Sequence, residues 1–458
     1  MKKTVSFFLA FLLVFSLTGT ALAAAPTGWE SLIIETEWDT YLDENGIESR
    51  ETEYRIIPLE DPKLDAVLYY SAKMVMESME RLREGASNTN SGFMYRYSNL
   101  SAMNAIFPSS DSSDFAMAFN KLYHSNNSAF TISGGPGYFP SDYSEYKVLY
   151  AHFGSADTDV LEKLYSIAEE ARAYSATHYG QLEYINLYLC DNVEYDGSSS
   201  SRGQTTRDAI INGKAVCAGY TSATNDLCFI LGIPCIMLLG YNHTWNCVYV
   251  DDEWKMLDVT WNDGENPEMR FYDILDYDEV HNYMKYDNSY HIELAKMFVL
   301  EMQGYSAAKK YVIDNGIMSG YGDNQYGLTN SLTRAELAVL LTRMNGMEES
   351  VTAKSDHYIQ ACPFIDVPQW AKAYVGYCYE SGLVVGYNST TYGSNDPVTP
   401  QALCTVVLRH LDYPETDWSY STACTKAAAV GLVSQYYPTG NTALRYDVAC
   451  ILYQASKM

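Results

Sequence analysis

Cys217, His243 and Asp258 lie in that order along the chain, within GKAVCAGY, YNHTWNCV and KMLDVTWN. These three residue types together can run nucleophilic chemistry. A thiol attacks only as its thiolate, so it needs a proton acceptor. Histidine titrates near neutral pH and can hand the proton on to a leaving group. A carboxylate on the second ring nitrogen fixes the tautomer and stabilises the charged imidazole. Cys217 follows a glycine turn and opens an apolar run that reads as a helix. A sulfur there faces unpaired N–H groups and the positive end of the helix dipole, which favour the thiolate. Each residue alone also has a structural reading: a cysteine at a helix start, a histidine in a strand, an aspartate capping a turn.

Other elements must bring the three together. Helices are expected over Asp159–His178 and Gln181–Asn192, ahead of Cys217. Strands are expected over Tyr241–Val250 and Trp254–Trp261, joined by the polar Asp251-Asp252-Glu253. If Asp251-Asp252 is a two-residue turn, Val250 pairs with Glu253 and Trp245 with Asp258. His243 then shares a face with Asp258 and lies diagonal to it. A three-residue turn would undo the alignment.

At 458 residues the chain is expected to hold two to four domains. Its net charge of −27 argues against nucleic acid and anionic membranes as partners. The first residues carry Lys2 and Lys3, an apolar stretch Val5–Leu17, and a small-residue cleavage site at Ala21-Leu22-Ala23. This is the pattern of a secretory signal over residues 1–23, and no later segment reads as a membrane span. The ten cysteines include no C-x-x-C pair, and Cys228, Cys404 and Cys450 sit within apolar runs. Buried free thiols are expected rather than a disulfide framework. The eight histidines have no ligand-like spacing and no EF-hand pattern occurs, so no metal or cofactor is expected.

Residues 26–150 read as an α+β region of unassigned role. Strand-like runs Leu32–Trp38 and Thr52–Ile57 flank a turn at Asp43–Gly46, followed by a helix over Asp65–Arg83 and a polar loop at Ser87–Gly92. Residues 151–290 hold the three reactive side chains, and residues 300–458 repeat themselves. Tyr311–Arg343 laid without gaps over Tyr377–Arg409 matches Gly316 with Gly382, Tyr321 with Tyr387, Tyr326 with Tyr392 and Thr333 with Thr399. A shorter third copy follows from Thr422, giving copies at about 300–346, 364–412 and 418–458.

Residues from about 155 to 285 resemble the core of the transglutaminase-like superfamily. The resemblance rests on Gly213, Cys217 with Gly219 and Tyr220, Gly232-Ile233-Pro234, His243 with Trp245 and Asn246, and Asp258 to Trp261. The upstream Tyr188–Gly197 adds to it. It implies an α+β papain-like core with Cys217, His243 and Asp258 as a catalytic triad. The implied reaction is hydrolysis of a peptide or protein amide, or transfer of its acyl group to an amine. The repeats resemble S-layer homology modules, in their Gly-Tyr turns, Thr333-Arg334-Ala335-Glu336, and Phe364-Ile365-Asp366-Val367 with Trp370-Ala371. That resemblance implies an all-α, pseudo-threefold unit binding an anionic secondary polysaccharide of a bacterial cell wall. Arg334, Glu336, Arg445 and Asp447 are then the candidate ligand residues. The second copy has Thr399-Pro400-Gln401-Ala402, without the arginine. The expectation is a secreted cysteine peptidase or acyltransferase attached to the wall or S-layer of a Gram-positive cell. The alternative is a catalytically silent or structural surface module.

Overall fold

The computed structural model describes residues 30–34, 52–58, 64–83, 91–97, 130–137, 147–156, 158–197, 203–240, 243–264, 267–272, 289–321, 326–440 and 442–458. The signal read at 1–23, the turn at Asp43–Gly46 and most of the loop before Ser91 lie outside them. In the N-terminal region, strands β1 (Glu30–Ile34) and β2 (Thr52–Pro58) fall where strand-like runs were read. Helix α1 (Leu64–Arg83) follows, then β3 (Ser91–Tyr97), β4 (Phe130–Gly137) and β5 (Lys147–Ala156). They form one sheet of order β1-β2-β3-β5-β4, with α1 as the crossover between the parallel pair β2 and β3.

The central region opens with α2 (Thr158–Tyr174) and α3 (His178–Asn192). The first helix stops short of the expected His178 because the Thr177 side chain accepts the Gly180 N–H at 3.2 Å and caps α3 instead. Short elements β6 (Glu194–Tyr195), α4 (Thr206–Ile210) and β7 (Lys214–Ala215) lead into the buried helix α5 (Cys217–Leu231). Gly232 ends α5 in the left-handed region at φ 75° and donates back to Cys228 and Phe229. Strands β8 (Cys235–Leu239), β9 (Thr244–Val250) and β10 (Glu253–Leu257), the turn of helix α6 (Val259–Asn262) and β11 (Phe271–Tyr272) complete the region. The sheet runs β11-β10-β9-β8, all antiparallel, and α5 packs on β8 and β9.

The β9–β10 turn has two residues. Asp251 and Asp252 both sit at positive φ, 54° and 62°, as a type I′ turn requires. Val250 pairs with Glu253, and the ladder continues to Asn246 opposite Leu257. The second strand does not reach Trp261 as expected. Asp258 turns the chain into α6, its Oδ1 accepting the Trp261 N–H at 3.1 Å.

The C-terminal region is helical. Its elements are α7 (Ser289–Asp314), α8 (Arg334–Met344), α9 (Glu348–Ala353), α10 (Ser355–Ala361), α11 (Gln369–Glu380), α12 (Pro400–His410), α13 (Ala423–Ala429) and α14 (Arg445–Ala455). Buried Leu332, Val398 and Ala443 meet in a chain of backbone bonds: Val398 N–H to Leu332 at 2.8 Å, and Ala443 N–H to Val398 at 2.9 Å. Each copy's turn supports another copy's second helix. Asp396 accepts the Arg334 N–H at 3.0 Å, Asn330 accepts the Arg445 N–H at 2.9 Å, and Thr439 accepts from Gln401 at 3.2 Å. This cyclic exchange gives the three copies a pseudo-threefold arrangement. Helix α7 crosses the boundary expected at 290–300 and joins the regions, packing on β8, α1 and α14. One cluster of buried apolar side chains runs through all three regions.

Candidate active site

Cys217 is the first residue of α5, and Val216 before it offers no side-chain cap. The helix-start N–H groups are therefore left for the sulfur. A backbone clamp holds this start in place. The Val216 N–H donates to Gly203 at 2.8 Å, and Gly203 adopts φ 79°. Gly219 lies so close to that loop that a Cβ would stand 2.6 Å from the Gly203 carbonyl oxygen and 2.7 Å from Ala215 Cβ. Only glycine fits there. Tyr220 tightens the same turn, its hydroxyl lying 2.7 Å from the Val193 carbonyl oxygen and 2.5 Å from Asp263 Oδ2, within reach of either acceptor.

His243 precedes β9, and its Nε2–H donates to Asp258 Oδ2 at 2.5 Å. That leaves Nδ1 as the nitrogen available to Cys217, with which the imidazole shares a hydrogen bond. Asp258 is 1% exposed. Its two oxygens divide the work: Oδ2 takes the imidazole, Oδ1 caps α6. The cap and the contact to His243 thus coexist on one carboxylate.

The electrostatics follow the geometry. Burial pushes the Cys217 thiol up, but the hydrogen bond and charge of His243, with the backbone at Thr244 and Ala218, pull it below the ordinary thiol range. Burial pushes His243 down, and the bonds to Asp258 and Cys217 outweigh it, raising the imidazole to about 9. The two shifts act in one direction, toward thiolate beside imidazolium. The other cysteines with resolved shifts mostly move the opposite way: burial pushes Cys190, Cys247 and Cys450 up to about 12. All ten cysteines are free thiols.

Several neighbours were not legible as site residues. His243 lies beside two nearly parallel indoles, Trp245 at 5.7 Å and Trp261 at 5.9 Å between ring centroids. Trp245 is buried, while Trp261 is 38% exposed and forms an open wall. Tyr195 is raised first by burial, then by the charges of Cys217 and Asp258, which places its exposed ring near the thiol. The tryptophans adjoin the reactive residues in sequence, at His-x-Trp and Asp-x-x-Trp, which is the one signal that could have singled them out. The backbone group at Thr244 leaves no signal in residue type. Among the described residues no group of three or more His, Cys, Asp or Glu side chains is placed to hold a metal ion.

The four candidate ligand residues of the repeats are dispersed. Arg334 is half-buried. Its Nε donates to Tyr392 at 2.9 Å and its Nη2 to Val385 at 3.0 Å, and its guanidinium lies over the rings of Tyr392 and Tyr387 at 4.6 and 4.9 Å. Arg445 repeats this pattern one copy on, bonding Tyr326 and Ser319 over Tyr321, but it is only 6% exposed. Glu336 completes a capping box with Thr333. Asp447 caps α14 and forms a buried ion pair with Lys73 of α1 at 2.5 Å. The arginines thus bind neighbouring turns, and both acids hold helix starts.

Comparison with known proteins agrees with this layout. A transglutaminase-like superfamily model matches residues 165–259, and an S-layer homology domain model matches residues 310–338 and 364–399. A cell surface protein of Thermoanaerobacter kivui is 31% identical over 155 residues, 33% of this chain and 20% of that protein. The kyphoscoliosis peptidase of Mus musculus is 24% identical over 127 residues, 23% of this chain and 18% of that protein. The middle cell wall protein of Brevibacillus brevis is 25% identical over 146 residues, 31% of this chain and 14% of that protein. The chain thus spans about a fifth or less of the length of these relatives. A crystal structure of a TGase aligns with 42% of this chain and 56% of its own, at 13% identity and a TM-score of 0.22. Residues 165–259 are thus a transglutaminase-like domain, joined in one chain to S-layer homology sequence at residues 310–338 and 364–399.

Proposed function

We propose that this chain is an exported, wall-attached cysteine enzyme that opens peptide or protein amides through Cys217, His243 and Asp258. The observation that carries the reading is the line from Asp258 through His243 to Cys217 at the start of α5, with both partners shifted toward the ion pair. The thiolate adds to the amide carbonyl. The oxyanion that forms lies beside the N–H groups at the start of α5, the Cys217 N–H among them. His243 gives its proton to the departing amine as the C–N bond breaks and the C–S bond of a thioester remains. Water or a second amine then attacks the thioester, giving its proton to His243 and releasing the sulfur. Asp258 holds the ring through both steps.

Wall attachment is assigned to the repeats. The relatives named cell surface protein, middle cell wall protein and surface layer protein support it. Arg334 is the arginine proposed to meet an anionic wall polysaccharide, with exposed Tyr387 beside it as a stacking surface for sugar rings. The export signal at residues 1–23 fits the same reading.

The test is to incubate the purified chain with a peptide mixture, with and without a labelled primary amine. Label entering peptides identifies transfer, and new amino termini identify hydrolysis. Either product should vanish in Cys217→Ala with the melting temperature unchanged. Full activity in folded Cys217→Ala would overturn the assignment.

A further inference from the structure

We propose that Trp261 is a positioning residue of this site: its indole closes the outer face of His243 and holds the ring as imidazolium. The inference rests on the triad reading above. A cation over an aromatic face is attracted by the ring's quadrupole within about 6 Å of its centroid, and indole is the best such face. Two indoles lie beside His243, with ring centroids 5.7 and 5.9 Å away and planes tilted only 18° and 20° from its own. Trp245 is fixed in the core. Trp261 is the more exposed of the two, and two of its contacts bear on its pose. Its backbone N–H is held by Asp258 Oδ1, and its ring takes the edge of Tyr272 at 5.4 Å and 80°. Tyr272 is itself anchored, its hydroxyl donating to Asn262 Oδ1 at 2.9 Å, and Asn262 in turn donates to buried Asn186 at 2.7 Å. The carboxylate that bonds His243 therefore also holds the backbone that carries the neighbouring indole.

The titratable groups facing the imidazole are Cys217 from α5 and Asp258 at the start of α6. Tyr195 of β6 feels the charges of Cys217 and Asp258, and Tyr272 of β11 that of Asp258. Losing the outer indole changes none of these groups. In Trp261→Leu an apolar side chain still covers the ring, so the burial that disfavours its charge is largely kept while the aromatic face that favours the protonated ring is removed.

This makes a one-sided prediction. Going up in pH, the site passes from thiol–imidazolium to thiolate–imidazolium, then to thiolate–imidazole. The protonated ring is present on both sides of the first step, so Trp261 does not affect it. The second step removes that proton, so Trp261 delays it. The experiment measures the rate of iodoacetamide alkylation of Cys217 in the full chain across pH, by mass of the Cys217 peptide. The wild type should show two inflections, the upper near 9. In Trp261→Leu the upper inflection should fall by roughly half a pH unit to one and a half, with the lower one unmoved. Trp261→Phe keeps an aromatic face and should fall by less, and it serves as the test if Trp261→Leu does not fold. An unmoved upper inflection, or both inflections moving together as in a general loosening, would overturn the proposal. A wild type without a low-pH inflection would instead overturn the triad reading beneath it.

Discussion

Asp258 shows why single residues in this site resist simple truncation. One oxygen caps α6 and the other holds His243, so Asp258→Ala removes two functions together. Asp258→Asn separates them: the amide oxygen can still accept at the helix start, while the negative charge beside the imidazole is gone. Asp258→Asn should therefore stay folded and lose activity, though less than Cys217→Ala, since an orienting group contributes less than the nucleophile. Asp258→Ala should lose a further ~0.5–2 kcal/mol of stability, the usual cost of an N-cap, read from denaturant unfolding. The shifts also set a pH window. Activity should rise with pH through a value below the ordinary thiol range and fall as His243 loses its proton near 9. A pH–rate profile still climbing above that point would contradict the ion-pair form. Cys217, His243 and Asp258 were legible as a candidate set because of their residue types and sequence context, and the structure brings them together. The indoles around His243 were not, because a tryptophan's stacking partner depends on where α6 turns, and the strand pattern ran straight through that turn.

The hairpin and the start of α5 are the elements that make the geometry possible. The sequence left the hairpin register conditional, because a three-residue turn competed; the structure takes the two-residue turn, in which both aspartates adopt the left-handed conformation that a type I′ turn demands. The end of β10 was not readable, since Val259, Thr260 and Trp261 are all good strand formers and only the Asp258 cap redirects them. At α5 the decisive residue is Gly219. Gly219→Ala would drive a methyl group into the Gly203 carbonyl and Ala215, and the helix start would have to shift. We expect a loss of roughly 1–3 kcal/mol in denaturant unfolding, as for other overpacked sites. Activity should fall more steeply than stability, because Cys217 moves with the helix. Wild-type melting and turnover in Gly219→Ala would show that the clamp does not set the thiol's position.

At the scale of the molecule, the three regions are not independent beads. Helix α7 packs against β8 in the transglutaminase-like region, and its second half meets the repeats through Tyr305 on Tyr446 at 5.6 Å and Tyr311 on Tyr453 at 5.6 Å. Helix α1 of the N-terminal region adds the buried Lys73–Asp447 pair and the Lys309–Glu80 pair. A cut after residue 300 would fall where the first repeat was expected to begin. Such a cut divides α7 and strips buried Met302 and Tyr305 from the core, so it should lower the melting temperature of the remaining chain. A cut beyond Asp314 keeps α7 whole and should be less damaging; equal melting of the two truncations would argue against the shared helix. The continuity was hidden from the sequence because repeat periodicity marks the copies and not what they pack against. Within the anchor, Arg334→Ala should weaken wall pull-down roughly tenfold or more, while buried Arg445→Ala should act mainly on stability. The most direct measurement of the central claim is to quench a reaction with peptide substrate in acid and weigh the Cys217 peptide. An acyl adduct on Cys217 that hydroxylamine removes is predicted, absent in Cys217→Ala and diminished in His243→Ala. Turnover that continues in Cys217→Ala with no adduct on any wild-type peptide would contradict it.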